Sequence, residues 1–228
     1  MIVKPRFEMV GGGEDYLPVK GDALMENYKK LAESVKFTDK NKVHHQDTSL
    51  ELIGTGRSAV VFKIRSTNKA LKVFYPDKSK IAKEEAMIYK RLAGTPYFPT
   101  LYEDGENYLV IDYIDGKTIF ECLVNGVRVT RDIINEVDAA LSLAREKGLN
   151  PSDVHLRNLI VTSEGQMKII DVARFRQTKD CTQWRDLKRA FYSLYEKRFF
   201  PKRIPEFLLN MIALLYKKSA FFSLSKEQ

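Results

Sequence analysis

The spacing of apolar residues changes period several times along the chain, and each change marks an element. SLELIGTG, SAVVFKIRS and NKALKVFY are short β-branched and aromatic runs broken by Gly or Asn, and they predict three strands. In KSKIAKEEAMIYKRLAG the period turns helical: Ile81, Glu85, Ile88 and Leu92 recur on one face and Gly94 is a stop signal. TLYEDGENYLVIDYIDG predicts a hairpin turned at DGEN. TIFECLV predicts a short helix, and RDIINEVDAALSLAREKG a longer one with Ile133, Val137, Leu141 and Ala144 on one face. NLIVTS, a turn at EG, and QMKIID interrupt the helical pattern. TQWRDLKRAFYSLYEKRF and PEFLLNMIALLYKKSAFF resume it, punctuated by Pro201 and Pro205, with their apolar positions expected in the core. Strands come first and helices after, the order of an α+β chain.

Ahead of these elements, Met1 to about Asp47 reads as irregular, with turn-forming GGG at Gly11 to Gly13. Within it Asp22 is placed to cap a helix over ALMENYKKLAESV, with Leu24, Tyr28, Leu31 and Val35 on one face. The expected organisation is an N-terminal extension, 1–47, packed on a body spanning 48–228.

Composition narrows the class. The chain has 228 residues, 44% hydrophobic and 30% charged, which suits one two-lobed globular domain. A net charge of +8 attracts nucleotide phosphates, nucleic acid, anionic membrane or acidic protein without choosing among them. Cys122 and Cys181 lack CxxC spacing, which argues against a disulfide framework, and His44, His45 and His155 form no zinc-type cluster. The first residues lack a signal peptide's apolar core and no apolar run is long enough to span a bilayer, so the expected location is cytoplasmic.

Four features carry chemistry. GTGRSAVV, from Gly54 to Val61, puts glycines between two predicted strands, where backbone could approach a phosphate or simply turn a hairpin. It is neither a Walker A loop nor a dinucleotide fingerprint, because no GK[ST] and no helix follow. Lys72, in ALKVF, lies on a strand among apolar neighbours, where an ammonium either snorkels out or pairs with a buried acid. The acid is Glu84 or Glu85; Glu85 shares the apolar face of its helix and is preferred. Finally, in NPSDVHLRNLIVTSEGQMKIID, Asp153 precedes Asn158 by five positions and Asp171 closes a hairpin. Phosphoryl transfer needs a proton acceptor, here Asp153, and hard oxygen ligands for magnesium, here Asn158 and Asp171. Each of these residues alone is as well explained by a turn or a strand end. Their joint order is what favours the catalytic reading.

GTGRSAVVFKI, ALKVF, KEEAMIYKRL, DVHLRN and IIDVARF resemble the Gly-rich loop, ATP lysine, C-helix glutamate, catalytic loop and DFG segment of the protein-kinase superfamily, over about Leu50 to Tyr216. The style is most similar to short bacterial serine/threonine kinase-like proteins, and also to RIO-type and aminoglycoside-phosphotransferase-type kinases. The resemblance implies a bilobal fold: an antiparallel-sheet N-lobe with one helix (48–112), a hinge (112–116) and a minimal helical C-lobe (117–228). It implies ATP with Mg²⁺ or Mn²⁺ as cofactors. Gly54, Thr55, Gly56 and Val61 would then cover the nucleotide, Ile111 would be the gatekeeper, and the backbone of Asp112 and Ile114 would meet the adenine. Lys72 would touch the phosphates, Glu85 would hold Lys72, Asp153 would be the base and Asp186 would brace the catalytic loop.

The departures are as specific as the matches. Pro151-Ser152 stands where the family has His-Arg, Val172-Ala173 stands where it has Phe-Gly, and no APE motif follows. Three functions are therefore carried forward. The first is an active kinase acting on a protein hydroxyl, with a small-molecule acceptor as its variant. The second is a nucleotide-binding pseudokinase serving as an interaction module. The third is a basic binder of nucleic acid or a membrane surface, suggested by KRAFYSLYEKRFFPKR and FLLNMIALLYKK; no nucleic-acid partner is expected, since these runs read more simply as helical core with a charged rim. His155, Arg157 and Arg174 are candidate phosphate contacts, and Trp184 is expected to be a buried anchor.

Overall fold

A computed structural model describes residues 21–224, with side chains for residues 27–216. The glycine run at Gly11 to Gly13 and the side chains of Asp22 and Leu24 lie outside the described residues. The backbone is already helical at Gly21, so α1 (Gly21–Ser34) includes Asp22 rather than starting after it. A small antiparallel hairpin, β1 (Lys36–Phe37) and β2 (Val43–His45), follows where irregular chain was expected.

Five strands form the principal sheet: β3 (Leu50–Thr55), β4 (Ala59–Ile64), β5 (Lys69–Phe74), β6 (Leu101–Asp104) and β7 (Tyr108–Asp112). Their order is β3-β4-β5-β7-β6 and every pairing is antiparallel. α2 (Ser79–Leu92) connects β5 to β6. Alternation along each strand decides which face a residue serves. On β5, Leu71 and Val73 face α1, where Tyr28, Leu31, Val60, Phe62 and Val110 complete a buried cluster. Ala70 and Phe74 face α2 and meet Ala82, Ala86, Ile88 and Tyr89. Lys72 shares the parity of Ala70 and Phe74, so the sheet presents its side chain to α2.

The second part begins after the irregular segment 113–115. β8 (Gly116–Thr118) leads into α3 (Ile119–Asn125), whose start is a capping box between Thr118 and Glu121 and whose end is Gly126 in the left-handed conformation. α4 (Arg131–Glu146) carries its expected apolar stripe inward. β9 (Leu159–Thr162) and β10 (Met167–Ile169) form the expected hairpin, and β8 adds a third strand to it that the pattern of GKT does not announce. Gly116 is required there: a Cβ would stand 2.4 Å from the Val161 carbonyl oxygen. α5 (Gln183–Ala190) passes into a π-helical turn, Phe191–Tyr195, where one continuous helix was expected, and α6 (Glu206–Leu224) ends the described chain. Trp184 is a buried anchor, donating its indole N–H to Asp138 Oδ1 at 2.7 Å.

The fold is thus mixed α and β, with an antiparallel sheet and six α-helices among the described residues, and has the bilobal kinase-like arrangement. One expectation is corrected. Leu209 is buried, but Phe207, Met211, Ile212, Leu214 and Leu215 of α6 are exposed rather than core. The helix presents apolar residues on both its inner and outer sides, and only its inner side finds protein to pack against.

Candidate active site

Lys72 is the hub. Its ammonium lies 2.7 Å from both carboxylate oxygens of Glu85 and 2.9 Å from Asp171 Oδ1. Glu85 is fully buried on the inner face of α2, while Glu84 is exposed, as the helical period predicts. Burial lowers the affinity of Lys72 for its proton, but the two carboxylates outweigh it and hold the lysine above its ordinary pKa. Burial pushes the Glu85 carboxyl up against the pull of Lys72. At Asp171 burial also pushes upward, yet the attraction and hydrogen bond of Lys72, helped by His155 and Arg57, leave its carboxyl below the usual value.

The hairpin positions Asp171. Ile170 N–H donates to the Asn158 carbonyl at 2.9 Å, so the residues just before β9 and just after β10 lie side by side. Asn158 is buried and donates its amide Nδ2 to the Asp153 carbonyl at 3.2 Å. Its amide nitrogen is therefore used inside the loop, and its oxygen is the end suited to a cation. The chain after Asp171 is fastened to the chain before Asp153: Asn150 N–H donates to Phe175 O at 2.7 Å and Asn150 Nδ2 to Gln177 O at 2.7 Å. Asp153 and Asp171 both adopt left-handed backbone, with φ of 61° and 57°. Non-glycine residues seldom do so, and such strain concentrates at functional sites.

The Asp153 carboxylate faces two arginines and a histidine. Arg57 Nη2 is 3.4 Å and Arg174 Nε 3.5 Å from Oδ2, and His155 Nε2 is 3.9 Å from Oδ1. Arg57 was not singled out in the sequence; its place directly after GTG is the signal that could have found it. Arg157 turns the other way, its guanidinium stacked 3.5 Å above the Phe120 ring centre and bonded to Asn210 Oδ1 at 3.1 Å.

The residues expected at a nucleotide lie on the α2-facing side of the sheet and its rim. Gly54 and Thr55 end β3, and Gly56 makes the turn, its N–H donating to Ala59 O at 2.8 Å. Val61 stands opposite both Gly54 and Lys72 in the strand register. Ile111 is buried opposite Ala70. Asp112 ends β7 with its carboxylate accepting from Thr100 N–H at 2.7 Å and Tyr102 OH at 2.6 Å, which pushes the Tyr102 phenol up to about 12. Ile114 lies in the segment linking the two parts. Asp186 is placed apart from these residues: it accepts from Thr182 Oγ1 at 2.9 Å and Tyr216 OH at 2.8 Å. It lines a cavity of about 280 Å³ together with His155, Leu156 and Arg157.

Among the described residues, no group of three or more His, Cys, Asp or Glu side chains is arranged to hold a metal ion. Asn158 and Asp171 instead offer the two oxygen donors suited to magnesium that arrives with phosphates and water filling its other positions. The donor chemistry of Asn158 and Asp171 fits a hard cation that is also held by phosphate and water.

No family model matches the chain. Its relatives are informative. It is 51% identical over 183 residues to a Bacillus subtilis protein named "Putative serine/threonine-protein kinase YrzF", covering 79% of this chain and 85% of that protein. It is 28% identical to "Probable serine/threonine-protein kinase CPE1738" of Clostridium perfringens, over 54% of this chain and 20% of that protein. It is 25% identical to "Probable serine/threonine-protein kinase CA_C1728" of Clostridium acetobutylicum, over 58% of this chain and 23% of that protein. A strand lysine joined to a helix glutamate and a post-hairpin aspartate, in a chain with such relatives, places this protein in the protein-kinase-like superfamily.

Proposed function

We propose that the chain is an ATP-dependent phosphotransferase of the serine/threonine protein kinase type. The observation that supports this most is the meeting of Lys72, Glu85 and Asp171 at one ammonium. In this reading Lys72 orients the nucleotide phosphates while Glu85 keeps it in place. Asn158 and Asp171 would hold magnesium, which would offset the negative charge of the nucleotide phosphates. Asp153 accepts the proton of the attacking hydroxyl as the new oxygen–phosphorus bond forms and the bond to the β-phosphate oxygen breaks. Asp186 acts as a positioning residue. Gly54, Thr55, Gly56 and Val61 would cover the nucleotide, and Ile111, Asp112 and Ile114 would form the base of its site.

A second reading, a nucleotide-binding pseudokinase, draws support from Arg57 and Arg174, which already engage the Asp153 carboxylate. Transfer of labelled γ-phosphate from ATP separates the two. The assay uses the protein itself and a generic basic protein as acceptors, with Mg²⁺ or Mn²⁺. Transfer abolished by Asp153→Asn supports the kinase; ATP binding without transfer to either acceptor favours the pseudokinase or a small-molecule acceptor. The absence of both ATP binding and phosphate transfer would contradict every nucleotide reading.

A further inference from the structure

α6 turns two chemically different sides outward and inward. Its inner side is tied to the body: Leu209 is buried, Tyr216 donates to Asp186 at 2.8 Å, and Asn210 accepts from Arg157 at 3.1 Å. Its outer side carries Phe207, Met211, Leu214 and Leu215, spaced i, i+4, i+7, i+8 so that they form one stripe. Their exposures are 72%, 47%, 61% and 59%. Scattered exposed apolar residues are ordinary, but a contiguous stripe marks an interaction surface.

Two observations identify what covers it. The first is charge. The segment 194–218 carries Lys197, Arg198, Lys202, Arg203, Lys217 and Lys218 against only Glu196 and Glu206. The loop leading into the helix also holds Phe199 at its tip, 95% exposed between Arg198 and Lys202 on either side in sequence. The second is the chemistry of the stripe. Phe, Met and Leu bring no hydrogen-bonding group, whereas a protein interface makes about one hydrogen bond per 100–200 Å². Hydrocarbon accepts such a stripe without leaving a partner group unsatisfied, and anionic headgroups match the adjacent cations. Pairing with a second copy would bring two strongly basic segments together, which like-charge repulsion opposes.

We infer that α6 and the Phe199 loop form a docking surface for an anionic lipid membrane, on which the protein lies without spanning it. No helix among the described residues is long and apolar enough to cross a membrane. The apolar stripe enters the headgroup–acyl boundary, and the exposed Lys197, Arg198 and Arg203 bind the headgroups.

The test is co-sedimentation of the full chain with phosphatidylcholine vesicles, with and without phosphatidylglycerol, at low and high salt. The wild type is expected to bind the phosphatidylglycerol vesicles, to bind more weakly at high salt, and to leave pure phosphatidylcholine largely unbound. Met211→Ser/Leu215→Ser is expected to lower partitioning about tenfold, because the exposed halves of the two apolar side chains together contribute about the free energy of a tenfold change. Its melting temperature should be unchanged, since neither side chain is buried. Phe199→Ser is a second variant of the same kind. Three results overturn the inference: no wild-type binding to either vesicle, binding that both variants retain in full, or a dimer in solution that the double variant dissociates.

Discussion

Lys72 and Asp171 are 99 residues apart in the chain and 2.9 Å apart in space. The contact joins the five-stranded sheet to the hairpin of the second part, and Glu85 completes it from α2. Three separately folded elements thus converge on a single ammonium, which makes its removal informative.

Lys72→Met leaves Glu85 buried without a cation. Removing one partner of a buried pair costs about 3–5 kcal/mol. Each kcal/mol lowers the melting temperature by roughly 2–4 °C in a chain of this size. The double variant Lys72→Met/Glu85→Leu should recover most of that loss, because the fully buried charge is then gone and Asp171, which also loses its lysine, is half exposed to water. Thermal unfolding of the single and double variants checks this, and equal losses in both would argue against the pair as described.

The depressed pKa of Asp171 has a pH signature. Its folded value lies below the ordinary 3.8, so the unfolded chain binds more protons and the contribution of Asp171 to stability rises with pH. That contribution is fully present above the ordinary carboxylate range and is lost as pH falls through the folded value. The difference in melting temperature between wild type and Asp171→Asn should stay level from neutrality to about pH 5 and shrink below it. A difference that grows on acidification would contradict the assignment.

Gly116→Ala tests the junction between the two parts. The added Cβ would meet Val161 O at 2.4 Å, Ile160 Cγ2 at 2.7 Å and Thr162 Cα at 2.9 Å, and two of these are backbone. Overpacking of this kind costs about 1–3 kcal/mol. The denaturation midpoint should fall; an unchanged midpoint would mean that β8 and β9 do not pair so closely.

Much of this was legible in the sequence wherever periodicity and local chemistry agree. The period of α2 separates buried Glu85 from exposed Glu84, and strand alternation turns Lys72 toward α2. What was not legible depends on distance or brevity. β8 is only three residues long and exists because β9 accepts it as a neighbour. The place of Arg57 after GTG marks it as a loop residue, but its reach to Asp153, 96 residues on, is not written in that local pattern. The π-helical turn at Phe191–Tyr195 keeps the composition of an ordinary helix. α6 has the apolar spacing of a core helix, and nothing in that spacing tells a face that meets protein from one that meets solvent or lipid.

The most direct test of the central claim separates binding from chemistry at Asp153. Phosphate-transfer rate and Mg²⁺-ATP affinity would be measured side by side for wild type and Asp153→Asn. The expected result is a transfer rate lower by roughly 10²–10⁴-fold, the weight of a positioned general base, with nucleotide affinity nearly unchanged. Transfer that persists at the wild-type rate in Asp153→Asn would contradict it.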